Sequence, residues 1–134
     1  LLKQTVAVKL NMEMAIALDP LFDQVMVIGE GRPALAAIVV LNPEEWAALA
    51  KELDLDPESE ADLNGRFLEK TLRTRIARQL HEFPGYAQVR KLIVTLEPWT
   101  VDDGLLTPTL KMKRARILER YKDQVEALYE GYTE

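Results

Sequence analysis

Apolar and polar positions divide the chain into short blocks whose period changes from two to nearly four. Lys3-Gln-Thr-Val-Ala-Val-Lys-Leu10 partly alternates and predicts an edge strand over residues 3–10. Asn11 then predicts the cap of a short helix over residues 12–18. Asp19-Pro20 stops that helix, because the residue before a proline avoids helical backbone. Residues 24–29 and the more continuously apolar residues 34–41 predict two strands. The Glu30-Gly-Arg-Pro33 turn between them predicts a hairpin.

Asn42-Pro43-Glu44-Glu45 has the form of a helix start, with Asn as cap, Pro at the first helical position and Glu45 closing a capping box. Helix is predicted over residues 44–53, followed by a polar acidic loop over residues 54–62. The longest helical pattern covers residues 63–82, where Leu68, Leu72, Ile76 and Leu80 recur every four positions on one face. Phe83-Pro84-Gly85 ends it. A third strand is predicted over residues 88–96, an irregular connection over 97–109, and a closing amphipathic helix over 114–129. The inward set of that last helix is Ile117, Leu118, Tyr121, Val125 and Leu128. This order predicts an α+β domain, a small, mostly antiparallel sheet of about three strands packed by helices.

The chain of 134 residues suits one domain rather than two, and an apolar content of 48% is globular. It has no cysteine, which excludes disulfides and thiolate metal sites and is compatible with an intracellular address. One histidine, His81, leaves neither a histidine zinc cluster nor a Ser-His-Asp triad. No metal site is assigned. A net charge of −5 argues against a dedicated nucleic-acid binder, and no apolar run reaches the ~20 residues that span a bilayer. The start, Leu1-Leu-Lys-Gln-Thr, has neither an initiator Met nor a signal-peptide pattern. The expectation is a piece of a longer protein; processing or a tag would look the same.

Two basic sets stand out. Lys111, Lys113, Arg114, Arg116, Arg120 and Lys122 read first as a solvated helix face. Cations at a helix start oppose the helix dipole, a cost that an anion placed there would offset. Arg66, Lys70, Arg73, Arg75 and Arg78 face, on this reading, the acidic stretch 44–62, with its eight carboxylates and one lysine. His81, late in a helix, is expected to satisfy the last carbonyls, and Trp46 and Trp99 to pack. Gly29-Glu-Gly31 lacks the third glycine and the helix of a dinucleotide fingerprint, and no Walker A motif is present, so any main nucleotide pocket lies elsewhere. The string Gly104-Leu-Leu-Thr-Pro-Thr-Leu-Lys111-Met-Lys-Arg114 is different in kind. No packing requirement calls for it, and it puts a long cation on a loop between a rigid proline and a helix.

Residues 97–114, Glu97-Pro-Trp-Thr-Val-Asp-Asp-Gly followed by that string, resemble the C-terminal signature of long-chain fatty acyl-CoA synthetases, in the adenylate-forming (AMP-binding) superfamily. Met12-Glu13-Met-Ala-Ile-Ala-Leu-Asp-Pro20 is similar to the short helix with a characteristic Glu in that family. Gln24-Val-Met-Val-Ile-Gly-Glu-Gly-Arg-Pro33 with the following apolar run resembles its strand, turn, strand segment, and Glu119-Arg-Tyr-Lys-Asp fits as well. The likeness covers about residues 12–131, in order. It implies that residues 1–134 are a single C-terminal lid domain whose partner is an N-terminal adenylation domain of the same chain, which binds ATP and a long-chain fatty acid.

The implied reaction has two halves. An acyl carboxylate attacks the α-phosphorus of ATP, giving acyl-adenylate and pyrophosphate; the CoA thiol then displaces AMP. Lys111 falls on the family's catalytic lysine. ATP, CoA and Mg²⁺ belong to the full-length enzyme, with none expected on this domain alone, and the isolated domain is expected to be inactive. The address implied is cytoplasmic, with peripheral attachment at a membrane surface left open. Two departures matter. Many superfamily members place Ser-Gly before the lysine, where this chain has Thr109-Leu110, as in the long-chain subgroup. Residues 3–10 contain no glycine and no recognisable hinge, so no hinge or CoA-channel residue is assigned. The competing readings are the lid of another adenylate-forming ligase and a free-standing protein-interaction module.

Overall fold

A computed structural model describes residues 6–131. The central strand organises everything else. Strand β2 (Leu35–Leu41) is buried at every position, as its unbroken apolar run requires when both faces are covered. It pairs antiparallel with β1 (Phe22–Ile28) through the hairpin, in the register Val25 to Val39 and Val27 to Ala37. At the turn, Gly29 has φ +140° and a Cβ there would meet the Leu35 side chain at 2.8 Å, so only glycine fits without displacement.

On its other edge β2 pairs in parallel with β3 (Val89–Thr95), Ala37 lying beside Leu92. The sheet is therefore mixed, one ladder of each kind, where a mostly antiparallel one is expected from the sequence. The cause is the connection. Helices α2 (Pro43–Leu53), α3 (Glu60–Leu63) and α4 (Arg66–Gln79) carry the chain back along the sheet, and a strand reached by such a crossover runs parallel to the one before it.

Alternate residues of β2 feed two separate cores. Ala37, Val39 and Leu41 meet Met12, Ile16, Trp46, Leu68, Leu72, Ile76 and Leu80 on one face. Ala36, Ile38 and Val40 meet Trp99, Leu105, Leu106, Ile117, Tyr121, Val125 and Tyr129 on the other. The architecture is thus α+β in three layers: helices α1 (Val6–Ile16), α2 and α4, then the sheet, then α5 (Arg114–Arg120), α6 (Lys122–Tyr129) and the segment before them.

Several local expectations change. Residues 6–10 are helix, not strand; residues 3–5 lie outside the described residues. Asn11 is inside α1 rather than capping it. Apolar side chains surround α1, with Leu10 and Met14 exposed opposite buried Met12 and Ile16, so no single period marks it. Asn42 does cap α2, accepting from the Glu45 N–H at 2.9 Å, but its own N–H donates to the Leu21 carbonyl at 2.8 Å and the box with Glu45 stays open. The last helix breaks at Tyr121; Leu118, before the break, is 40% exposed, and Tyr129, after it, is buried. The Leu68, Leu72, Ile76 and Leu80 stripe is buried as its spacing predicts.

Candidate functional site: the Lys111 loop

The loop is held by its flanks. Trp99 is buried, its Nε1–H donating to the Tyr121 hydroxyl at 3.0 Å with the rings in an edge-to-face pair. The Gln24 side chain reaches from β1 to both backbone groups of Trp99, accepting from its N–H at 2.8 Å and donating to its carbonyl at 2.9 Å. A tight turn follows. Thr100 and Asp103 exchange hydrogen bonds, Thr100 N–H to Asp103 Oδ1 at 3.1 Å and Asp103 N–H to Thr100 Oγ1 at 3.0 Å. Partial burial opposes ionisation of Asp103. Donors from the Leu105 and Thr100 backbone, the Thr100 hydroxyl and Arg120 outweigh it and hold its carboxyl below the usual range. Leu105 and Leu106 then dive into the core.

Between Leu106 and Met112, which form an isolated antiparallel bridge, the chain makes its outward excursion. Pro108 sits second in a turn closed by Leu110 N–H to the Thr107 carbonyl at 2.7 Å, a position its fixed φ favours. Thr107 also takes both backbone groups of Lys111: its N–H donates to the Lys111 carbonyl at 2.8 Å and its Oγ1 accepts from the Lys111 N–H at 3.0 Å. The base of the lysine is fixed, while its side chain is exposed and has no hydrogen bond or ion pair among the described residues. An ammonium so presented can reach an anion outside this domain.

The residue before it is strained. Leu110 has φ +68°, in the left-handed region that glycine adopts without cost. This explains in backbone terms why a Ser-Gly pair is usual there in the superfamily the sequence resembles. Leu110 buries little in return, at 68% exposure.

Arg114, the first residue of α5, finds its anion within the chain. Its guanidinium forks onto Glu13 of α1, Nη2 to Oε1 at 2.6 Å and Nη1 to Oε2 at 2.9 Å, and Oε2 also accepts from the Val27 N–H at 2.7 Å. The offset to the helix dipole that the sequence invites is thus supplied by Glu13. Sequence spacing gives no hint of this pair; the usable signal is a lone carboxylate inside the apolar run Met12-Glu13-Met14-Ala-Ile16.

Three other singled-out residues, Arg75, His81 and Trp46, make contacts within the chain. Arg75 forks onto Asp19, at 2.7 and 2.8 Å, with Glu45 and Glu52 of the acidic stretch acting on it from further off. Burial of Asp19 opposes its ionisation, but the Arg75 side chain and the Leu21 N–H prevail and hold it below the usual carboxylate range. His81 Nδ1 lies 2.8 Å from the Arg78 carbonyl at the end of α4. Trp46 ties down the acidic loop through Nε1–H to the Pro57 carbonyl at 3.0 Å. Among the described residues no three carboxylates or histidines gather as a metal donor set. No helix among them is long and apolar enough to cross a membrane.

Residues 5–133 match the family model for the AMP-binding enzyme C-terminal domain. The chain belongs to that family. The AMP-binding C-terminal domain is 30% identical over 122 residues to a chloroplastic long-chain-fatty-acid–[acyl-carrier-protein] ligase of Arabidopsis thaliana, covering 90% of this chain and 15% of the relative. It is 31% identical over 114 residues to long-chain-fatty-acid–CoA ligase 5 of Rattus norvegicus, covering 83% of this chain and 17% of that one. Among solved structures it is similar to the A-PCP didomain of carboxylic acid reductase from Segniliparus rugosus in complex with AMP, with a TM-score of 0.73, 29% identity and coverage of 92% of this chain and 16% of that one. The chain thus spans about one sixth of the length of these relatives. Two of these relatives are named as long-chain-fatty-acid ligases, one for an acyl-carrier protein and one for CoA, and the third as a carboxylic acid reductase.

Proposed function

We propose that this domain is the C-terminal lid of a larger ligase that activates a long-chain fatty acid with ATP and transfers the acyl group to CoA, and that Lys111 serves the first half-reaction. The observation that carries the reading is the Lys111 loop: a strained, doubly hydrogen-bonded turn whose lysine side chain is exposed and has no hydrogen bond or ion pair among the described residues. In adenylation the carboxylate oxygen bonds to the α-phosphorus as the bond to the pyrophosphate oxygen breaks. Negative charge crowds at the approaching oxygens. A preplaced ammonium stabilises that charge and holds the two anions in line. Because the lysine belongs to a lid rather than to the pocket, it can withdraw before the CoA thiol attacks the acyl carbonyl and AMP leaves. Likeness to the CoA ligase relative supports CoA as acceptor. A cytoplasmic address goes with this reading, and the cysteine-free chain is compatible with it.

A second reading differs only in the acceptor. The carrier-protein ligase of Arabidopsis thaliana is as similar to this chain as the CoA ligase, which favours a carrier-bound thiol as the alternative.

The test uses the full-length enzyme. Lys111→Ala is expected to slow ATP–pyrophosphate exchange by ~10²–10³, while transfer from supplied acyl-adenylate to CoA is spared. Equal loss in both halves would remove the lysine from the chemistry. Comparing CoA with a carrier protein as acceptor separates the two readings. Residues 1–134 alone are expected to form no acyl-adenylate, and activity from them would refute the lid assignment.

A further inference from the structure

We infer that the pair of buried Glu13 and half-buried Arg114 is a positioning device for Lys111, setting where the lysine stands relative to the body of the domain. The inference rests on the reading of Lys111 as the adenylation lysine and adds two residues that act through it.

Glu13 is the one charged residue buried among the described residues, at 6% exposure. A carboxylate taken out of water needs its oxygens satisfied, and here two Arg114 nitrogens and the Val27 N–H do so. Stability alone does not call for this arrangement, since an apolar pair of similar volume commonly serves as well in a core. What a two-pronged guanidinium–carboxylate contact adds is geometry, because it fixes both distance and angle. The pair joins residues 101 apart in sequence, linking α1 and β1 to the start of α5.

Little slack separates that anchor from the lysine. Met112 is bridged to Leu106 and partly buried against the second core. The Lys113 N–H donates to the Leu105 carbonyl at 2.9 Å. Lys111 itself is tied to Thr107 through both backbone groups. The loop therefore has an apolar anchor on its entering side, at Leu105 and Leu106, and an ionic one on its leaving side. A shift of the α5 start against α1 passes to the lysine backbone, and displacement of a catalytic group by about 1 Å costs up to ~10²-fold in rate.

The experiment again uses the full-length enzyme. Arg114→Lys keeps the charge and loses the fork. The double variant Glu13→Gln with Arg114→Met removes both charges and leaves an acceptor for the Val27 N–H, so it remains folded if the single change does not. Either is expected to slow pyrophosphate exchange about tenfold or more through kcat rather than the KM for ATP. Transfer from a supplied long-chain acyl-adenylate to CoA should stay within a few-fold of wild type. On a Lys111→Ala background the same changes should cause no further loss, since they act through the lysine. A folded double variant with the wild-type exchange rate would overturn the inference, as would added loss on the Lys111→Ala background. Lys111→Ala alone distinguishes the two levels. If it leaves exchange intact, the reading of the lysine fails; if it is slow while the pair variants are not, only the positioning role fails.

Discussion

The two faces of the sheet are built on different principles. The first is covered by α2 and α4, whose apolar positions repeat with helical spacing and whose charged residues mostly face water, and by α1, which is apolar on both sides. The second is covered by a broken helix and by residues 97–113, most of them without regular structure, whose order comes from individual side chains: Trp99 clamped by Gln24, Asp103 closing a turn, Thr107 holding Lys111. Periodic packing gives a platform that tolerates small local change. Singular packing gives a loop with fixed shape at the surface, and it is there that the candidate lysine sits. The contrast extends to backbone strain. The hairpin turn meets its positive φ values with Gly29 and Gly31, whereas the lysine loop meets one with Leu110.

Four substitutions break or sharpen that contrast. Trp99→Ala should have the largest effect, destabilising by ~3–5 kcal/mol in thermal or urea unfolding. Because it also leaves the Tyr121 hydroxyl without the indole N–H and opens space beneath the loop, it should slow adenylation per folded molecule. Leu72→Ala on the first face should cost ~2–5 kcal/mol yet leave pyrophosphate exchange per folded molecule near wild type. If Leu72→Ala damaged exchange as much as Trp99→Ala, the two faces would not be functionally distinct.

Asp19→Asn tests the ionic tie between α4 and the turn after α1. Its folded pKa is depressed, so its contribution is in place above about pH 4 and is lost as pH falls through the folded value. The substitution should cost roughly 1–2 kcal/mol at neutral pH, with the gap to wild type closing in acid. A gap that widened in acid would contradict the assigned partner. The smallest effect is expected for Leu110→Gly. Relief of left-handed strain of about 1–2 kcal/mol is partly offset by the greater unfolded-state freedom of glycine, roughly 0.5–1 kcal/mol. Unfolding should show a slight gain in stability, and a loss would show that the exposed leucine makes a contact worth more than the strain.

Local chemistry alone determined the elements that repeat or are capped: the Leu68 to Leu80 stripe, the Asn42 cap with Pro43 behind it, the glycine hairpin turn, and the two strands it joins. It also singled out the lysine loop, because a Thr-Pro-Thr turn beside a cation serves no packing need. Tertiary structure decided the rest. Residues 6–10 alternate like a strand but became helix, since α1 is apolar on both sides and only its place beside β1 selects which side is buried. β3 runs parallel because the helices between it and β2 return the chain to the same end. Arg114 meets Glu13 only through the tertiary fold, and a pairing over 101 positions leaves no mark in spacing. Short-range backbone and side-chain preferences are written in neighbouring residues; which distant charge neutralises which is settled only when burial removes water as the alternative partner.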